Sequence, residues 1–187
     1  MSARPGHSPA AEDPPDGLVV GVAIAIPEPF GAELTAWRAR FGDPRAVGVP
    51  AHITLVPPTA IADVPLIDVE AHLVTALAGA RPFDVRLAGT GSFRPVSPVA
   101  FVRVETGAAG CEDLQRRVNT GPLDREPAYG YHPHVTVAQA VPDHVIDGAL
   151  QVLGGWCCGF TVEHVTLYKH HDDRVWRPVS EVKLPRV

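Results

Sequence analysis

At 187 residues the chain can bury one sizeable core and is too short for a second large domain. Hydrophobic residues make up 45% and charged residues 20%, which excludes a fibrous chain or one disordered throughout. Against 21 Asp and Glu stand 16 Lys and Arg, a formal charge of −5 that excludes a broad face for neutralising long nucleic acid and leaves room only for a local basic pocket.

Residues 1–17 carry Pro5, Pro9, Pro14 and Pro15 among acidic residues and read as a disordered tail, the reverse of a secretory signal. The longest apolar run, residues 18–26, is far short of the roughly 20 residues that span a bilayer, so no membrane span is expected. Its β-branched composition without polar alternation predicts a central strand covered on both faces. Phe30, Leu34, Trp37 and Phe41 mark an amphipathic helix that Gly42 and Pro44 end. Residues 51–56 read as a strand closed by Pro57 and Pro58. Leu66, Val69, Leu73 and Leu77 mark a second helix, and Phe83, Val85 and Leu87 a half-buried strand before a loop with Gly89 and Gly91.

The order then repeats: a strand over residues 99–105, a helical stripe at Cys111, Leu114 and Val118, and a short strand from His134 to Val137. Residues 160–168 read as a further strand and residues 175–184 as one added at the end, with His170, His171, Asp172 and Asp173 as a polar turn between them. Val19 and Val99, Leu34 and Leu114, and Leu66 and Ile146 are each 80 apart, and His52 and His134 are 82 apart. This spacing predicts two similar lobes within one domain over residues 18–187. The only cysteines, Cys111, Cys157 and Cys158, form neither a disulfide framework nor a zinc spacing and fit a reducing cytoplasm.

Two equivalent strands each carry His, an apolar spacer and Thr: His52-Ile53-Thr54 and His134-Val135-Thr136. Strand alternation puts imidazole and hydroxyl on one face and turns the spacer into the core. If the lobes face each other, two His and two Thr converge on one cleft, a complete site for a phosphodiester. One imidazole withdraws a proton from the attacking oxygen, the other protonates the departing one, and the hydroxyls hold non-bridging oxygens. No metal or other cofactor is needed. With 9 His in 187 residues, chance alone supplies about 0.7 His-x-Ser/Thr matches, so a single copy would carry little weight. A third copy, His164-Val165-Thr166, falls at the final strand of its half and reads as a decoy.

His132-Pro133-His134 could suggest a metal pair, but no adjacent Cys or carboxylate completes a shell. Thr54 and Thr136 could equally be ordinary β-branched strand residues. Tyr131, Tyr168, Phe93 and Trp176 are candidates to stack on a base at the cleft rim, and Arg94, Lys169, Arg174 and Arg177 could supply local positive charge.

The segments at residues 50–55 and 131–139 resemble the two-histidine (2H) phosphoesterases, in particular the 2′-5′ RNA ligase and RNA 2′,3′-cyclic phosphodiesterase branch. The resemblance extends over residues 18–184 and includes the element order. It implies an α+β, bilobal fold, two pseudo-symmetric lobes of antiparallel sheet with helices, interleaved around a central cleft in a single domain over residues 18–187. It also implies a catalytic pair His52 and His134, with Thr54 and Thr136 binding phosphate, the first His as proton donor and the second as acceptor. The implied substrate is an RNA end or nucleotide carrying a 2′,3′-cyclic phosphate or 2′-5′ linkage, opened or ligated; no obligatory protein partner is expected. Gln139 stands where RNA-acting members often carry a basic residue, which points to a nucleotide-sized substrate. The rival expectation is a nucleotide or RNA-end binding module that keeps the cleft without turnover.

Overall fold

The β-branched run does become a strand, β1 (Val19–Ala25), buried along nearly its whole length. The computed structural model describes residues 18–61, 64–126, 129–170 and 175–186. The tail expected at residues 1–17, the turn residues His171, Asp172 and Asp173, and Arg174 lie outside these.

In chain order the elements are β1, α1 (Phe30–Arg40), β2 (His52–Ala60), α2 (Leu66–Leu77), β3 (Phe83–Ser92), β4 (Val99–Thr106), α3 (Ala108–Val118), β5 (His134–Gln139), α4 (Asp143–Val152), β6 (Cys157–Val162), β7 (His164–His170) and β8 (Trp176–Lys183). The strands form one antiparallel sheet in the order β6-β3-β4-β5-β2-β1-β7-β8. Only Glu163 separates β6, at one edge, from β7, next to the other edge, so the sheet must curl until its two ends approach. Leu184 N–H donates to the Glu163 carbonyl and ties the last strand to that crossing.

The sheet divides at its centre into two four-stranded halves, β2-β1-β7-β8 and β5-β4-β3-β6. The lobes are interleaved, because β3 leaves the first half of the chain to pair in the second lobe and β7 returns to the first. The helices cover one face, where Val20, Val22, Ile24, Ile53, Val85, Leu87, Val102 and Val135 share a single core with Leu34, Leu73, Leu114 and Ile146. Among the described residues no helix is long and apolar enough to cross a membrane.

Four features differ from the sequence expectation. The strand expected to end at Pro57 runs through both prolines to Ala60. It can do so because β5 pairs only at Ile53 and the β1 register slips between Val22 and Val20, so neither proline N–H is needed. The loop expected at Gly89 and Gly91 is strand: Gly89 takes φ +70 at a register shift, and a Cβ on Gly91 would lie 2.7 Å from the Phe101 ring. Residues 160–168 are split between β6 and β7, so two strands, not one, follow the repeat. On α1 the buried positions are Gly31, Leu34 and Arg38, while Trp37 stacks on Phe41 only partly covered.

Candidate active site

Ile53 and Val135, both fully buried, form the one register pair that joins β2 to β5. In an antiparallel pair the residues to either side of such a bridge face each other on the opposite side of the sheet. His52 therefore lies opposite Thr136 and Thr54 opposite His134, all four on the face turned away from the helices. The local pseudo-two-fold passes through the bridge itself. The sequence places these residues on equivalent strands; the fold makes those strands neighbours.

Each imidazole is held in the same way. His52 Nδ1 donates to the Pro50 carbonyl at 2.7 Å, and His134 Nδ1 donates to the His132 carbonyl at 2.7 Å. With Nδ1 carrying the proton, Nε2 of each ring is left for chemistry. At His52, Nε2 accepts the Thr54 hydroxyl at 3.1 Å. Burial is the main cause that pulls His52 down to about 4, with Arg38 and His134 acting in the same direction and the Pro50 carbonyl opposing them. Burial likewise pulls His134 below the ordinary imidazole range, and the His132 carbonyl opposes it.

The surroundings of the two motifs are not symmetric. Ahead of His52, the buried Arg38 donates to Asp43 at 3.0 and 3.1 Å and to the Val49 carbonyl at 3.0 Å, while Asp43 accepts Arg45 N–H at 2.9 Å. This pair fixes the loop that presents the Pro50 carbonyl to His52. Around His134 the device is aromatic: its ring lies 4.9 Å from Phe93 and 5.3 Å from Phe101, which also flank His132. Phe93 packs against Phe101 and both of these histidines, and Tyr131 donates to the Thr54 carbonyl at 3.0 Å.

A cleft of about 830 Å³ opens from His52, Thr54 and Thr136 toward Tyr168, His170 and Trp176. Its floor is kept low by Gly21 and Ala23 of β1, and the Trp176 indole lies where a Gly21 Cβ would come within 2.6 Å. Gln139 lines the cleft as well, whereas His134 stands outside that lining, on the β4 side of the bridge. His164 is exposed at the start of β7, opposite Lys183, and is not among the residues that line the cleft. Arg94 is engaged by Asp143 and Asp147. Among the described residues no three His, Cys, Asp or Glu side chains gather as a metal shell would require.

Sequence reasoning missed Arg38, Asp43 and Arg103. Arg103 is the register partner of His134 on β4 and so shares its face. For Arg38 the available signal is its place on the Gly31, Leu34, Arg38 stripe of α1; for Arg103 it is the two-residue step from Phe101 along β4.

The fold and its motifs define a two-lobed antiparallel α+β protein with a pair of His-x-Thr strands at the lobe junction. The family model of the 2′-5′ RNA ligase superfamily matches residues 26–174, and the chain belongs to that superfamily, within the 2H phosphoesterases. In sequence it is similar to a Bacillus pumilus protein that bears a phosphoesterase name, 33% identical over 108 residues, 58% of this chain and 62% of that one. A similarly named Bacillus licheniformis protein is 30% identical over 108 residues, 58% of this chain and 63% of its own length. The chain thus matches a little under two thirds of the length of these curated relatives. In fold it is similar to E. coli LigT complexed with 3′-AMP, with a TM-score of 0.63 and 18% identity over 91% of this chain and 100% of that one. LigT complexed with NADP+ gives 0.60 and 21% over 91% and 100%, and a Thermus thermophilus protein, TT0787, gives 0.52 and 22% over 89% and 97%.

Proposed function

We propose that the chain is a metal-independent phosphodiesterase that opens 2′,3′-cyclic phosphates, or cleaves 2′-5′ linkages, on nucleotides or RNA ends. The observation that carries this reading is the arrangement of His52, Thr54, His134 and Thr136 around the single Ile53–Val135 bridge, with Nδ1 of both rings tied to backbone carbonyls. The attacking oxygen loses its proton to His134 as its bond to phosphorus forms. The bond to the ribose oxygen breaks on the opposite side, and that oxygen takes a proton from His52. Thr54 and Thr136 hold the non-bridging oxygens. Water as the nucleophile gives a monoester; a ribose hydroxyl in its place gives ligation.

With its pKa pulled down to about 4, His52 by itself is neutral at pH 7, so its acid role depends on the phosphodiester, whose negative charge favours the imidazolium. The nucleotides held by LigT in its complexes with 3′-AMP, ATP and NADP+ support a nucleotide as the ligand of this cleft too. Its volume, about 830 Å³, falls in the usual range for small-molecule sites. The test is turnover of 2′,3′-cyclic nucleotides and of short RNA ending in a cyclic phosphate, with EDTA present. His52→Ala and His134→Ala are each expected to lose about 10²- to 10⁴-fold, and His164→Ala to match the wild type. Full activity in His52→Ala would overturn the assignment. Tight binding of the nucleotide without product would make the cleft a binding module.

A further inference from the structure

The two motifs bring no fixed positive charge to the reaction. His52 and His134 are both pulled toward the neutral form and the threonines are neutral, while a phosphodiester arrives with one negative charge and gathers another as the nucleophile adds. In a partly desolvated cleft that charge calls for a cation held in place beforehand. Arg38 cannot serve, because its guanidinium is buried on Asp43 and the Val49 carbonyl. Arg94 is engaged by Asp143 and Asp147. Arg45 lines the cleft from the loop before β2, without a strand register to fix it against the motifs.

Arg103 meets the requirement. It is the direct cross-strand partner of His134, so the two side chains leave the sheet on the same face with their Cβ atoms about 5 Å apart. It is exposed, and among the described residues no carboxylate pairs with it. Its stem lies over β3 in a slot that only a glycine leaves open: a Cβ on Gly91 would come within 3.1 Å of Arg103 Nε and 2.7 Å of the Phe101 ring. Phe101 flanks this slot, and its ring lies 5.3 Å from the His134 ring. The stem thus leans toward β3 beside the Phe101 ring, and the exposed guanidinium, with its planar fork of donors, can turn back across β4 to meet an anion seated on His134.

We propose that Arg103 binds the non-bridging oxygens of the reacting phosphodiester beside His134 and stabilises the charge that accumulates there. The proposal rests on the phosphodiesterase reading, so its test carries a readout apart from turnover. Arg103→Ala, Arg103→Lys and, as a charge-matched control on the exposed side of α3, Arg116→Ala are compared with wild type in two measurements. These are kcat/KM on 2′,3′-cyclic AMP, and inorganic phosphate affinity followed through the histidine ring protons by NMR.

Arg103→Ala is expected to lose about 10²-fold in kcat/KM and about tenfold or more in phosphate affinity. Arg103→Lys is expected to recover part of both, and Arg116→Ala to match the wild type. Unchanged phosphate affinity in Arg103→Ala, or kcat/KM within twofold of wild type, overturns the assignment, as does a wild type that binds no phosphate. If the wild type turns over no phosphodiester, the enzymatic reading fails by itself. Weakened phosphate binding in Arg103→Ala would then still support the anion site, and unaltered binding would dismiss it.

Discussion

His52 is held at both ring nitrogens, by the Pro50 carbonyl and the Thr54 hydroxyl, and burial brings its pKa to about 4. A histidine whose folded pKa lies below its unfolded value stays neutral in the native state while the unfolded chain takes up a proton. It therefore contributes nothing to the pH dependence above about 6.5, and it destabilises the fold progressively as pH falls from 6.5 toward 4, by at most about 1.4 kcal/mol per pH unit. His134 acts in the same direction. Thermal melts between pH 7 and 4.5 are expected to show a smaller loss of Tm for His52→Asn than for wild type; equal losses would mean that His52 titrates as a free imidazole does. Inorganic phosphate in the cleft is expected to raise the His52 titration midpoint, followed through its ring protons. A midpoint unmoved by saturating phosphate would place the anion away from His52.

At the scale of elements, the loop between α1 and β2 shows how a buried ion pair can serve a site. Arg38 and Asp43 are both removed from solvent, and their hydrogen bonds shape the backbone that ends at the Pro50 carbonyl. Removing one partner strands a charge in the core, so Asp43→Ala is expected to cost about 3–5 kcal/mol in urea unfolding, whereas Arg38→Met with Asp43→Leu loses much less. A double variant no more stable than Asp43→Ala would show that the loop depends on the ions themselves. The strands were legible in the sequence because β-branched runs and period-two alternation are local. Arg38 was not, because a charged residue on a helix reads as solvated until its partner is known, and that partner lies beyond the helix end. The prolines of β2 and the glycines of β3 misled for a related reason: whether they interrupt a strand depends on which neighbours need their N–H or fill their Cβ space.

For the whole molecule, the repeat at 80 residues was legible and the pairing of its parts was not, since the sequence spacing is the same whether each half keeps its own third strand or hands it to the other lobe. The chain does the latter, and its helices cross as well: α1 lies against β5 and α3 against β2. The two sheet halves meet directly at Ile53 and Val135, beneath the face that carries both His-x-Thr motifs, so the core that stabilises the fold also fixes the distance between the two histidines. Because the lobes exchange strands, they are expected to unfold as one cooperative unit. Ile53→Ala, at a fully buried position, is expected to cost about 2–5 kcal/mol. At about 2–4 °C of Tm per kcal/mol for a chain of this size, that is a clearly measurable shift. Unfolding is expected to remain a single transition, coincident by far-UV circular dichroism and tryptophan fluorescence. The fluorescence reports from α1 through Trp37, from just before β6 through Trp156 and from β8 through Trp176. Activity is expected to fall further than stability alone explains at a temperature where the variant is fully folded, because the same cavity loosens the spacing of His52 and His134. Two separated transitions, or a folded Ile53→Ala protein with wild-type kcat, would show that the lobes hold their catalytic alignment without the bridge.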